Sequence, residues 1–143
     1  MHTVSGGCHC ENILLHLELA RAPASYSPRA CDCSFCRKHQ AAYVSDPQGA
    51  LRIRLADPGK AGRYRQGSGQ AEMLFCTTCG VLLGALYQGA ARGYATVNAR
   101  VIDPAVRFGA ESVVSPQTLA ASAKATRWQE LWFANVSIGT PDG

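Results

Sequence analysis

The seven cysteines of this chain fall into three short runs, Cys8-His9-Cys10, Cys31-Asp32-Cys33-Ser34-Phe35-Cys36 and Cys76-Thr77-Thr78-Cys79-Gly80, and none lies outside them. Disulfide frameworks scatter their cysteines, because each bridge needs a partner across the fold. Metal sites gather thiolates two to four residues apart, so that neighbours reach one ion. A closed zinc site uses four thiolates, and a catalytic zinc keeps three protein ligands and one open position. Seven cysteines therefore divide into one complete tetrad and a remainder of three. This arithmetic constrains the fold more than any other feature, since the tetrad must join segments distant in sequence.

At 143 residues the chain is expected to be a single domain spanning 1–143. That length buries roughly two thirds of the unfolded surface, so metal is not needed merely to compensate for small size. Met1 to Gly7 is short and polar, and no apolar run approaches the roughly 20 residues that span a bilayer, so neither a signal peptide nor a membrane segment is expected. The thiols are accordingly assigned to a reducing cytoplasm. The net charge of +4 is carried largely by arginine, with Arg52, Arg54, Lys60, Arg63 and Arg65 as the densest run. This is mildly basic and well short of a nucleic-acid tail.

Hydrophobic period reads mostly as strand. From Asn12 to Leu19, Ile13, Leu15, Leu17 and Leu19 alternate with polar residues and only Leu14 breaks the pattern; Leu51, Ile53 and Leu55 alternate with Arg52 and Arg54 in the same way. Ala41 to Ser45, Arg63 to Gln66, Ala71 to Phe75, Val81 to Gln88 and Tyr94 to Asn98 are further short candidates, most of them flanked by turn residues. Short strands without long intervening helices predict an antiparallel, mainly β domain. The exception is Gln117 to Ala134, rich in Ala, Leu, Lys and Arg, which predicts a short C-terminal helix starting after Ser115-Pro116.

On that scaffold Cys8 and Cys10 are expected to share one face of a strand, with His9 on the other. Cys76 to Cys79 reads as a knuckle turn in which Gly80 tolerates positive φ. Cys8, Cys10, Cys76 and Cys79 would then form a closed structural zinc site. Cys31, Cys33 and Cys36 would supply three corners of a second zinc site from one loop, leaving the fourth open to water, thiol or substrate. Zinc so placed polarises a carbonyl and lowers the pKa of a bound thiol or water. Arg37 and Lys38 either offset part of the thiolate charge or form a solvated loop edge. His39 is either a fourth ligand or a surface group. Trp128 and Trp132, four apart, share one face of a helix and either dock on the sheet or cage a substrate, while the Arg52 to Arg65 run either steers a small anion or forms the wet face of a sheet.

Gly6-Gly7-Cys8-His9-Cys10, the run from Cys31 to Lys38, Phe75-Cys76-x-x-Cys79-Gly80 and Val97-Asn98-x-x-x-Ile102-Asp103 together resemble the glutathione-dependent formaldehyde-activating family, which also contains centromere protein V. The resemblance covers about residues 4–104, and a C-terminal helical segment follows over about 115–134. It implies a β-tent fold, a structural zinc on the first and third cysteine runs, and a second zinc on Cys31, Cys33 and Cys36 as the catalytic residues. It implies too a carbon–sulfur lyase that joins formaldehyde reversibly to the thiol of glutathione. Asn98 and Asp103 read most simply as turn residues. Where the family commonly closes with an aromatic, apolar strand and a Trp-containing tail, this chain has the alanine-rich Ser112 to Ala134. Two other readings stay open: a zinc-stabilised binding module for an acidic partner, without catalysis, and a redox switch in which the middle cysteines pair when zinc leaves.

Overall fold

A computed structural model describes residues 1–141. Among them eleven strands form two sheets. The first sheet has four strands in the order β1 (His2–Gly7), β2 (Ile13–Leu19), β5 (Ala50–Leu55) and β11 (Val136–Gly139). The second has seven, in the order β10 (Ser112–Val114), β3 (Arg29–Cys31), β4 (Ala42–Val44), β9 (Gly93–Asn98), β8 (Leu82–Gln88), β7 (Ala71–Cys76) and β6 (Ala61–Arg65). Helix α1 (Ser34–His39) follows β3, and α2 (Ala121–Leu131) lies near the C-terminus. The fold is thus mainly β with a short C-terminal helix.

The period of β2 and β5 translates directly into burial. Ile13, Leu15, Leu17 and Leu19 are buried, as are Leu51, Ile53 and Leu55, while the intervening Leu14, Arg52 and Arg54 face solvent. The antiparallel register Ile13↔Leu55, Leu15↔Ile53 and Leu17↔Leu51 puts these side chains in one layer. They meet Val44, Leu74, Leu83, Leu86, Ala95 and Val97 of the second sheet and Phe133 beyond α2. Each large aliphatic side chain so buried contributes about 1.5–3 kcal/mol.

The second sheet is covered on both faces. A separate apolar cluster, built from Cys36, Ala41, Tyr43, Met73, Leu82, Ala85, Ala125, Trp128 and Trp132, packs its other side beneath α2. Consecutive residues of β8 are consequently buried, Leu82 to Leu86 without a break, and simple alternation does not apply there.

Several expectations change. The pairing is not wholly antiparallel, because β10 pairs parallel with β3 and β11 parallel with β5. Both are short closing strands that reach their partners after long excursions of the chain, as parallel pairing requires, and no local period marks them. β1 carries one buried residue, Val4, and α1 has only six residues, so neither shows a periodic signal. The expected helix over 117–134 is shorter. Pro116–Thr118 forms a 3-10 turn closed by Leu119 N–H on the Pro116 carbonyl, and α2 begins afresh at Ala121 and ends before Trp132, whose backbone is extended.

The Arg52 to Arg65 run is divided between the sheets. Arg52 and Arg54 lie on the exposed side of β5, whereas Arg63 and Arg65 lie on β6 at an edge of the second sheet, both paired with Glu72.

Candidate metal centres and the cavity beside them

The first and third cysteine runs meet at the seam between the sheets. Cys8, Cys10, Cys76 and Cys79 bring their four sulfurs within 4.8 Å of one another. Cys8 and Cys10 do not lie on a strand, contrary to expectation. β1 ends at Gly7, and residues 8–12 form the hairpin connection to β2, with Cys8 N–H bonded to the Ile13 carbonyl and Glu11 N–H to that of Cys8. Glu11 takes a positive φ of 66°, which folds the connection back so that both sulfurs point the same way. His9, expected as a strand side chain, is exposed in this turn.

Gly6 is needed just upstream for a different reason. The chain at Val101 and Ile102 crosses so close to it that a Cβ would overlap the Val101 carbonyl oxygen. On the other side of the cluster, Cys76 ends β7 and its carbonyl accepts from Gly80 N–H at 2.8 Å, closing the knuckle with Gly80 at φ 79° as its composition predicts.

Sulfurs around one zinc at about 2.3 Å stand about 3.8 Å apart in a tetrahedron. Cys8 Sγ lies 3.7 Å from Cys10 Sγ, and Cys10 Sγ lies 3.5 Å from Cys76 Sγ. The spacing suits a metal tetrad, and all seven cysteines are free of disulfides. Backbone donors prepare part of the set as thiolate: the Cys10 and Val81 N–H groups hold the Cys79 thiol down at about 6. For Cys76, burial pushes the other way but the N–H groups of Cys79 and Thr78 outweigh it. Burial pushes Cys8 up to about 11, so that thiol gains most from the charge of an ion.

The middle run forms a second group. Cys31 ends β3, Cys33 caps α1 and accepts the Cys36 N–H at 3.4 Å, and Cys36 sits in the first turn. Their three sulfurs are also within 4.8 Å of one another. Cys36 donates toward Cys31, which lowers the Cys31 thiol below its ordinary range and raises that of Cys36. The Tyr43 hydroxyl lies 3.1 Å from Cys36 Sγ in buried surroundings and donates to it when the sulfur is a thiolate. The loop is braced by Asp32, which accepts from Ser115 and Gln117 through its carboxylate while its N–H bonds the Val114 carbonyl. Both cysteine groups can therefore hold a metal ion, and thiolate donors at this spacing are consistent with zinc.

The two groups lie in different apolar layers. Cys8 and Cys76 belong to the core between the sheets, and Cys36 to the layer under α2. Among the described residues the trio, and not the tetrad, lines a cavity. This space of about 410 Å³ is lined by Cys31, Cys33 and Cys36, with Tyr43, Met73, Ala85 and Thr96 on the sheet below and Lys124, Arg127, Trp128 and Trp132 above. Its volume falls in the range of about 300–1,000 Å³ typical of small-molecule sites. The floor is a row running across the sheet, Thr96↔Ala85↔Met73 in register, where the small Ala85 leaves room.

Sequence reading found the cysteines and missed most of the walls. Arg29 was the legible one, since a residue two before Cys31 on a strand must share its face. Its Nη2 donates to Ser45 Oγ at 2.7 Å and to Thr96 Oγ1 at 3.4 Å, and burial lowers its pKa to about 10 with Arg127 adding to the effect, which leaves it charged at neutral pH. Ser45 in turn donates to the Leu131 carbonyl at the end of α2, so floor and roof are tied through one hydroxyl. Arg37 and Lys38 are exposed at the loop edge and do not line the cavity. His39 is exposed, its ring 4.8 Å from that of Phe35, and is not brought into the sulfur group. Trp128 and Trp132 dock on the sheet, stacked at 5.1 Å in the buried layer with Trp132 just past the end of α2, and the same two side chains line the cavity. Asp103 is a turn residue, accepting the Ala105 N–H, whereas Asn98, expected in a turn, is the buried last residue of β9, where its side chain accepts the Arg100 N–H and donates to the Leu82 carbonyl at 3.0 Å.

A family model described as glutathione-dependent formaldehyde-activating enzyme matches residues 3–119. A crystal structure of a Rhodobacter sphaeroides protein is similar to this chain, with 27% identity over 73% of this chain and 98% of that one and a TM-score of 0.52. No curated protein sequence matches.

Proposed function

The chain belongs to the glutathione-dependent formaldehyde-activating enzyme family, and from that premise we propose that it is a zinc-dependent carbon–sulfur lyase. Its substrate is a thiol–aldehyde adduct of the S-hydroxymethylglutathione type. One observation carries the reading: the thiols left over after the tetrad, Cys31, Cys33 and Cys36, line a cavity of ligand size while the tetrad does not.

In this reading Cys8, Cys10, Cys76 and Cys79 would hold a structural zinc, and Cys31, Cys33 and Cys36, which line the cavity, would hold a second ion. Bound there, zinc supplies Lewis acidity and lowers the pKa of a thiol. The reaction joins the sulfur of a thiol to the carbonyl carbon of formaldehyde, and the thiol proton ends on the carbonyl oxygen, without change of oxidation state. The reverse breaks that carbon–sulfur bond. The protein's own part is positional. Tyr43 donates to the Cys36 sulfur and steadies its negative charge. Trp128 and Trp132 cover the cavity with apolar surface, which limits the water that competes for the aldehyde.

The test is exchange spectroscopy by NMR on a mixture of formaldehyde and glutathione at equilibrium, with metal analysis alongside. The parent protein is expected to accelerate exchange between free and adduct forms. Cys33→Ser is expected to lose both the acceleration and the ion of the middle group while remaining folded. A zinc-replete parent that leaves the exchange rate at its uncatalysed value overturns the proposal.

A further inference from the structure

The cavity beside the Cys31, Cys33 and Cys36 group has a charge pattern that the metal reading does not use. Among the described residues three cations line it, Arg29 from the floor and Lys124 and Arg127 from the roof, and no aspartate or glutamate does. Among the described residues none of the three forms an ion pair with a carboxylate. A divalent ion on three thiolates leaves one negative charge, so three cations leave the cavity with a positive surplus. The surplus calls for an anion brought by the ligand.

Placement sharpens this. Arg29 and Cys31 lie two apart on β3, so their side chains leave the same face, with Cα atoms about 6.6 Å apart at about 3.3 Å per residue. Only Nη2 of Arg29 is engaged, by Ser45 and Thr96. Among the described residues Nη1 and Nε have no protein acceptor, and since no buried side-chain nitrogen there lacks a partner they are not fully buried, on a residue that lines the cavity. A guanidinium held by one nitrogen and free at the others presents the planar fork that suits a carboxylate. Lys124 and Arg127 are three apart on α2 and so share one face, across the cavity from Arg29.

We propose that Arg29 on the floor and the Lys124–Arg127 pair on the roof are carboxylate receptors, and that the cavity selects a thiol flanked on both sides by carboxylates. The inference deepens the lyase reading, on which it rests for the ligand thiol, by naming the features of the substrate that are recognised. It makes Arg29, Lys124 and Arg127 specificity-determining residues, and none of them takes part in making or breaking the carbon–sulfur bond.

The experiment is isothermal titration of the zinc-loaded protein with S-methylglutathione, whose thioether does not react with aldehyde, and with its dimethyl ester, in which both carboxylates are masked. The parent is expected to bind the diacid at least roughly tenfold to a hundredfold more tightly than the diester, the range for a single charge-assisted hydrogen bond. Arg127→Gln, which removes no hydrogen bond within the protein, should reduce that preference, and Arg29→Gln should reduce it further; metal content and the cobalt-substituted absorption spectrum should not move. Arg29→Gln also loses its bonds to Ser45 and Thr96, so Arg127→Gln alone decides the matter if the former does not fold. Equal binding of diacid and diester by the parent, no binding of either, or an unchanged preference in Arg127→Gln overturns the inference. Loss of formaldehyde exchange with the diacid preference intact would remove the lyase reading and leave the receptor standing.

Discussion

Removing one oxygen atom, in Tyr43→Phe, separates a metal-holding role for the middle cysteines from a merely apolar one. The Tyr43 ring is buried at 6% exposure and packs with Met73, Ala85 and Trp128, and phenylalanine keeps that packing. What is lost is the hydroxyl 3.1 Å from Cys36 Sγ. A hydrogen bond to a charged acceptor contributes about 1.5–3 kcal/mol, and groups that brace a metal ligand in this way typically change metal affinity by about 10- to 100-fold. Competition with a chromophoric chelator should therefore show one ion per chain bound about 10- to 100-fold more weakly and the other unchanged. The sign with pH follows. Tyr43 lowers the proton affinity of the Cys36 sulfur, so its loss lets protons compete better, and the weakened ion leaves at a higher pH than in the parent. Thermal stability carried by the tetrad should hardly move. Two ions bound with parental affinity in Tyr43→Phe, at every pH, would refute the reasoning.

Cys76→Ser is expected to unfold the chain, because a structural zinc contributes about 10–16 kcal/mol against a total stability of about 5–15 kcal/mol; a native-like amide NMR spectrum from that variant would contradict it. Asp46 is buried and accepts from Ala20 N–H, Tyr26 O–H and Gln48 N–H at 2.6–2.9 Å. Burial alone would raise its pKa, but the Tyr26 hydroxyl and the two N–H groups outweigh that and hold it below the ordinary carboxylate value. A depressed carboxylate stabilises the fold above about pH 4 and loses its contribution only as pH falls through the lowered value. Asp46→Asn should thus cost about 1.5–3 kcal/mol by chemical denaturation, a gap that stays flat from about pH 8 to about pH 5; a gap that closes within that window would be inconsistent. Gly6→Ala forces a methyl group against the Val101 carbonyl and should cost about 1–3 kcal/mol, read as a lowered melting temperature; an unchanged one would show that the crossing at Ile102 gives way.

Much of the cysteine grouping was legible in the chain before any coordinates. Thiolates two to four residues apart can meet without help from the fold, so the middle trio was a local property of Cys31, Cys33 and Cys36. The pairing of the first run with the third followed from counting, since four ligands saturate an ion. The strands β2 and β5 were legible for a related reason: each buries one face only, and a period of two survives in Ile13 to Leu19 and Leu51 to Leu55. Where burial is two-sided, as in Leu82 to Leu86, period says little about which face a residue takes, and the edge strands β1, β10 and β11 are held by partners rather than by their own composition.

Tertiary structure alone decided which cysteine group has room beside it. The sheet of β10 to β6 puts Cys8 and Cys76 into the layer between the sheets and Cys36 into the layer under α2, and the cavity lies in the second layer, beside the small Ala85 and the stacked Trp128 and Trp132, with none of the tetrad lining it. Arg29, Tyr43, Lys124 and Arg127 lie up to 98 residues apart in the chain and become neighbours only when β3, β4 and α2 converge on that space. Ligand number is a property of spacing along the chain. Access to the ion depends on which surfaces are covered, and long-range packing determines that.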